Sequence, residues 1–184
     1  SLLGVRSQLR GAPQFRSTAT TIPVRISVAA REVVLFSAAQ KPEIALQDSE
    51  LVFVGYGITA PERAWDDYKG VDMRGKVALI LDGNPVESGA AKGQAVASSR
   101  WPSKFAEALR RGALGALLIH DSQRAADSLP RLRSYFAGER LLASAPADSP
   151  ALQVSGFISD EAARRLLLAA GLELEKQQQA AQDR

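Results

Sequence analysis

The sequence predicts a mixed domain of the α+β class, α/β-like at its centre, and three observations carry that expectation. Gly75–Leu81 (GKVALIL) and Leu114–Asp121 (LGALLIHD) are short, continuously apolar runs. Between them, Arg100–Ala113 (RWPSKFAEALRRGA) sets Phe105, Ala108 and Leu109 on one helical face. Two apolar strands either side of a helix are what a parallel pair covered on both faces requires. Gly75–Asp121 therefore reads as one βαβ unit, with a right-handed crossover as the default.

The bulk numbers fit a single domain spanning 1–184. A chain of 184 residues buries roughly 70% of its unfolded surface and needs no staples. Hydrophobic content of 46% and charge of 23% are ordinary for a globular protein. Net charge is +3 with a pI near 9.4, unevenly spread. Residues 1–40 carry five Arg against one acid, residues 41–99 six basic against nine acidic groups, and residues 100–140 eight against four. A nucleic-acid binder would not show that acidic middle, and no aromatics interleave with the arginines as stacking platforms. No nucleic acid is therefore expected as a partner. No run approaches the ~20 apolar residues of a membrane span, so none is expected. The absence of Cys excludes disulfides and thiolate sites, and the single histidine, His120, excludes any site needing two imidazoles from one copy. With no starting Met and an end inside a polar helical pattern, the chain reads as a piece of something longer.

Taken in order, residues 1–20 are polar, aperiodic and Arg-bearing, and read as an N-terminal arm. Ile22, Val24, Ile26 and Val28 alternate with polar residues and Pro23, the period-two signal of a half-buried strand with an edge or start at the proline. Val33–Phe36 is a second short strand, Gln40–Pro42 a turn, and Glu50–Val54 a further strand. Trp65–Gly75 (WDDYKGVDMRG) reads as an ordered surface loop in which Asp side chains bond nearby backbone N–H groups. Asp82–Ser99, about 18 residues rich in Gly, Ala and Ser, exceeds the usual connection and marks a flap or a functional loop. Gly112 ends the helix that follows, with Arg110 and Arg111 against its negative end. Ser122–Arg140 reads as a helical turn plus a loop holding Tyr135 and Phe136. Pro146–Pro150 is a linker, and Ala151–Val154 a short strand. Ser159 caps a last helix with Asp160 and Glu161 in its first turn and Leu166, Leu167 and Ala170 on its buried stripe; Gly171 ends it. Residues 175–184 form a polar tail.

Candidate chemistry fails on context. Gly55-Tyr56-Gly57-Ile58-Thr59-Ala60 matches G-x-G-x-x-A after a strand, the form that seats a pyrophosphate on a helix N-terminus. No amphipathic run follows, and Pro61 stands where that helix would continue, so Gly55 and Gly57 read as a strand end and bulge. Asp66, Asp67 and Asp72 lack calcium-loop spacing. Asp66 and Asp67, being adjacent on an extended segment, face opposite ways and cannot jointly flank a bond. His120 lies at the C-terminal end of a strand, where open α/β sheets bind ligands, but no serine sits in a G-x-S-x-G elbow to use it.

Three blocks carry a resemblance. ELVFVGYGITAPERAWDDYKGVDMRGKVALIL (Glu50–Leu81), RWPSKFAEALRRGALGALLIHD (Arg100–Asp121) and ALQVSGFISDEAARRLLLAAGLEL (Ala151–Leu174) cover nearly half the chain. Together they resemble a protease-associated (PA) domain, in particular the one inserted in bacterial exported zinc aminopeptidases with a di-metal site. The first block is the most specific. The resemblance implies a swivelling β/β/α fold, with an open barrel-like or sandwiched sheet and flanking helices. It implies a non-catalytic module that covers the active-site cleft, gates substrate or mediates contacts, in an extracellular or periplasmic protein. Its partners would be its own catalytic peptidase domain, reached beyond the polar tail, and a peptide or protein substrate. The two zinc ions and their His, Asp and Glu ligands would lie in that other domain, so no catalytic residue, metal ligand or cofactor is expected in this chain. Arg100, Trp101 and Lys104 match a family segment reading GRWTYK and are the candidates to face substrate. The match is imperfect: Ser98 and Ser99 precede Arg100, and Pro102 replaces a polar residue. A peptide-binding module of a receptor or another peptidase, using the Asp82–Trp101 loop, is the alternative.

Overall fold

Six consecutive buried residues, Gly115–His120, form a strand that must be paired on both edges and covered on both faces. A computed structural model describes residues 28–37, 46, 49–61, 64–85, 100–123, 125, 127–137 and 150–182, and the described chain does both. Its elements in order are a 3-10 turn (Ala30–Glu32), β1 (Val33–Phe36), β2 (Leu51–Phe53), β3 (Thr59–Ala60), β4 (Trp65–Asp66), β5 (Val77–Leu81), α1 (Trp101–Arg110), β6 (Gly115–His120), α2 (Leu129–Ala137), β7 (Val154–Ser159), α3 (Asp160–Ala169) and α4 (Leu174–Gln182). Five strands make one sheet in the order β1-β7-β6-β5-β2, and β3 pairs with β4 as a separate two-stranded sheet. Strands β2, β5, β6 and β7 run parallel, while β1 closes the edge antiparallel to β7.

Alternation along the strands sorts the apolar side chains into two cores. Ala78, Ile80, Ala116, Leu118 and Phe157 meet Phe105 and Ala108 of α1 and Leu129 of α2. Val77, Leu79, Leu81, Leu117, Ile119 and Ile158 meet Ala162, Ala163 and Leu167 of α3 and Leu174 and Ala181 of α4. The mixed α/β content and the β5–α1–β6 unit agree with expectation. A second parallel crossover, β6–α2–β7, was not expected.

Several local readings need correction. Tyr135 and Phe136 belong to α2, not to a loop, and Phe136 stacks flat on Phe36 with centroids 4.0 Å apart. The strand placed at Ala151–Val154 instead runs Val154–Ser159, because Ser155 and Gly156 interrupt its apolar pattern. The glycine is required there: a Cβ on Gly156 would stand 2.3 Å from the Val34 carbonyl oxygen of the paired strand. Trp65–Gly75 is less of a surface loop than expected, since β4 lies in it and Asp67, Tyr68 and Met73 are buried. Residues 174–182, read mostly as polar tail, form α4, whose Leu174 and Ala181 are buried. The Ser159 cap is as expected, its Oγ accepting from the Ala162 N–H at 3.1 Å. The expected arm (1–20), the Ile22–Val28 strand but for its last residue, the Gln40–Pro42 turn, most of the Asp82–Ser99 loop and most of the Pro146–Pro150 linker lie outside the described residues.

The Gly156 contact yields a direct test. Gly156→Ala should lower stability by about 2 kcal/mol in urea unfolding, within the range for forcing extra atoms into a packed site. An unchanged midpoint would contradict the docking of β1 on β7.

Candidate functional site

The three candidates at the start of α1 go to different places. Arg100 is exposed at the N-cap position. Trp101, half-buried, meets Phe36, Phe105, Phe136 and Phe157 edge-on at 5.7–6.2 Å, a geometry aromatic rings favour. Lys104 is completely buried. Its Nζ donates to the Leu81 carbonyl at 2.7 Å and the Gly83 carbonyl at 2.8 Å, and it lies 5.4 Å from the Tyr56 ring centroid. The ammonium thus bolts α1 to the C-terminal end of β5, where the connection toward 86–99 begins. Lys104 therefore contributes nothing to an exposed surface, while Arg100 and Trp101 keep some exposure.

The WDDYKG segment folds back by internal bonds. Asp67 Oδ2 accepts from the Ile58 N–H at 3.0 Å, and the Asp67 N–H donates to the Ile58 carbonyl at 3.0 Å. Asp66 Oδ1 accepts from the Tyr68 N–H at 2.9 Å, so the two carboxylates act on different partners, as their adjacency implied. The Gly55–Gly57 turn has both glycines in the left-handed region, at φ 61° and 65°. A Cβ on Gly57 would also stand 2.9 Å from Ile80 Cγ2, so the turn needs glycine for shape and space, and among the described residues it runs on into β3 (Thr59–Ala60), not into a helix that could hold a phosphate.

A second set fastens the C-terminal end of α1 to this hairpin. Arg111 donates to Glu107 Oε1 at 2.9 Å, Thr59 Oγ1 at 2.9 Å and Asp66 Oδ1 at 2.8 Å, and Thr59 donates to Glu107 at 2.6 Å. Burial pushes the Glu107 carboxyl up, but the hydrogen bonds from Arg110, Thr59 and Arg111 outweigh it and hold it at about 2. The Arg111 guanidinium lies over the Tyr68 ring at 5.2 Å, a cation–π contact. The arginine pair read as complementing the helix end therefore has carboxylate partners as well. No sequence signal marked this network, because Thr59 and Arg111 lie 52 positions apart.

His120 ends β6 opposite Ser159 of β7 and is only 4% exposed. It borders an open cavity of about 350 Å3, lined also by Arg31, Glu32, Ser122, Ser128, Leu129 and the Ser159–Glu161 turn. The expectation that this edge is where a ligand could sit finds a concave surface there. Among the described residues no group of three or more His, Asp or Glu side chains is arranged to hold a metal ion.

Lys104 makes the bolt testable by pH. Burial pushes its amine down to about 8 from an ordinary 10.5, against the pull of Asp82 and Asp67. Between pH 8 and 10 the unfolded chain holds a proton that the folded chain has released, so stability rises with pH. Above about pH 10 the trend reverses, because burial raises the Tyr68 phenol above its usual range and the unfolded chain ionises first. Urea unfolding at pH 8, 9 and 10 should show a rise on the order of 2 kcal/mol, absent in Lys104→Met; equal slopes in both would contradict the buried ammonium. No protein-family model matches the chain, and neither a curated protein nor a solved structure matches it significantly.

Proposed function

We propose that the chain is a protease-associated domain of a bacterial exported zinc aminopeptidase, with the swivelling β/β/α fold of that family. It acts without chemistry of its own, covering the cleft of a separate catalytic domain and modulating substrate access or protein contacts. The resemblance of the three blocks is the starting point. The observation that carries the reading furthest is the use the fold makes of their polar residues. Asp67 is taken up by the Ile58 N–H, Lys104 by two carbonyls, and Arg111 by Glu107, Thr59 and Asp66. Side chains held in this way stiffen a cap; an active site needs groups aimed at a substrate. Each block also falls on sheet and helix that cover β6: the first on β2 to β5, the second on α1 and β6, the third on β7 and α3. A rigid body of this kind suits a lid on a neighbouring domain. No described helix is long and apolar enough to cross a membrane.

The purified chain, dialysed against zinc, should retain no stoichiometric metal and should not hydrolyse an aminoacyl p-nitroanilide above the buffer rate. Stoichiometric zinc with turnover abolished by a chelator would overturn the proposal. The coding sequence around the chain gives a second check: the reading expects an H-x-D motif downstream, then Glu-Glu, Asp and His. Their absence would remove the aminopeptidase assignment.

A further inference from the structure

We propose that the cavity at the C-terminal edge of β6 and β7 binds a small ligand through an oxyanion, a carboxylate or a phosphate. The first ground is His120. It is 4% exposed, and its imidazole has no hydrogen-bond partner among the described residues. Its ring nitrogens are not sealed off in the core; they open onto the cavity, where a ligand can reach them. Strand alternation sets His120 on the same face as Ala116 and Leu118, the face covered by α1 and α2. That turns the ring beneath the first turn of α2, where the cavity lies. The unmatched group is therefore aimed at open space large enough to hold a ligand, at the lower end of the roughly 300–1,000 Å3 typical of small-molecule sites.

The charges around the cavity decide the sign of the ligand. Three carboxylates line it, and two are in ion pairs, although the Arg164 that pairs with Asp160 is shared with Glu175 at 2.7 Å. Glu32 takes both guanidinium nitrogens of Arg165 at 2.9 Å, which holds its carboxyl below the usual range. Asp160 pairs with Arg164 at 3.4 Å. The third, Glu161, stands at the rim with its side chain 80% exposed, 3.8 Å from Arg165. Against these, Arg31 is exposed and makes no ion pair among the described residues. The α2 helix, nine residues long, has no acid in its first turn, and Asp127, one residue before Ser128, is paired with Arg131 at 3.1 Å, so the positive end of the dipole borders the cavity. The Ser128 hydroxyl accepts from the Arg131 N–H only at 3.4 Å, a loose cap. An oxyanion between the imidazole, the Arg31 guanidinium and this helix end would meet donors from all three. Among the described residues a metal cation would find no set of three ligands.

The test is an NMR titration of the 15N-labelled 184-residue chain, at fixed pH and ionic strength, with sodium acetate in one arm and inorganic phosphate in the other. Sodium chloride serves as the reference. The proposal expects saturable shifts at the His120 ring and at the Leu129 and Ser159 amides in at least one arm. Acetate alone would identify a carboxylate ligand, phosphate alone a phosphoryl ligand. Arg31→Gln, at an exposed position that leaves the fold undisturbed, should weaken that binding ~10-fold, and His120→Gln should weaken it further. Absence of saturation in both arms, identical shifts with chloride, or an Arg31→Gln variant that binds as tightly as the parent would each overturn it.

Discussion

The constraint on which the structure depends is the double burial of β6. A strand apolar on both faces cannot border water on either side. It therefore requires β5 and β7 as parallel neighbours and a layer of helices above and below. Parallel neighbours in turn require crossovers, and α1 and α2 provide them on one face. That leaves the other face to α3 and α4, which follow β7 directly. The antiparallel β1 then closes the β7 edge and is admitted only because Gly156 has no side chain. Each step follows from the one before, and all begin from Gly115–His120.

The polar residues serve this arrangement. Helix α1 is fixed at its first turns by the Lys104 ammonium on the end of β5 and at its last turn by Arg111 on the β3–β4 hairpin. The hairpin is held to itself by the reciprocal bonds between Asp67 and Ile58. Buried charges are costly unless fully bonded, and here each has its partners close by. A lysine or a carboxylate in an apolar setting can look like catalytic equipment; here the side chains are bonded within the fold. The contrast with His120 is instructive, because it is buried to a similar degree and has no such partner among the described residues.

What the sequence made legible follows from the range of the interactions involved. Strand β5, helix α1 and strand β6 were readable because their apolar runs and helical spacing are local signals. So were the Ser159 cap and the Gly112 helix end, which depend on residues three or four positions apart. Strand β7 was misplaced because Gly156 breaks its pattern for the sake of a contact with Val34, more than a hundred residues earlier in the chain. Tyr135 and Phe136 read as loop because the aromatic cluster that seats them draws on Phe36, Trp101 and Phe157. The Lys104 bolt was equally invisible, since a Lys on an amphipathic helix is ordinarily solvated. The cavity beside His120 was legible only as an edge of the sheet, as its walls come from Arg31, Ser128 and Ser159, three segments that only the fold brings together.

The central claim is that the polar residues of the Glu50–Leu81 and Arg100–Asp121 segments fasten the hairpin and α1 to the sheet as one cooperative unit. Native-state hydrogen exchange tests it most directly. If the claim holds, the Ile58 and Asp67 amides are protected to the same free energy as those of Leu117 and Leu118, and all exchange by global unfolding. Exchange of the hairpin amides through a local opening several kcal/mol less costly than global unfolding would contradict it, and would free Asp67, Lys104 and Arg111 for a role other than architecture.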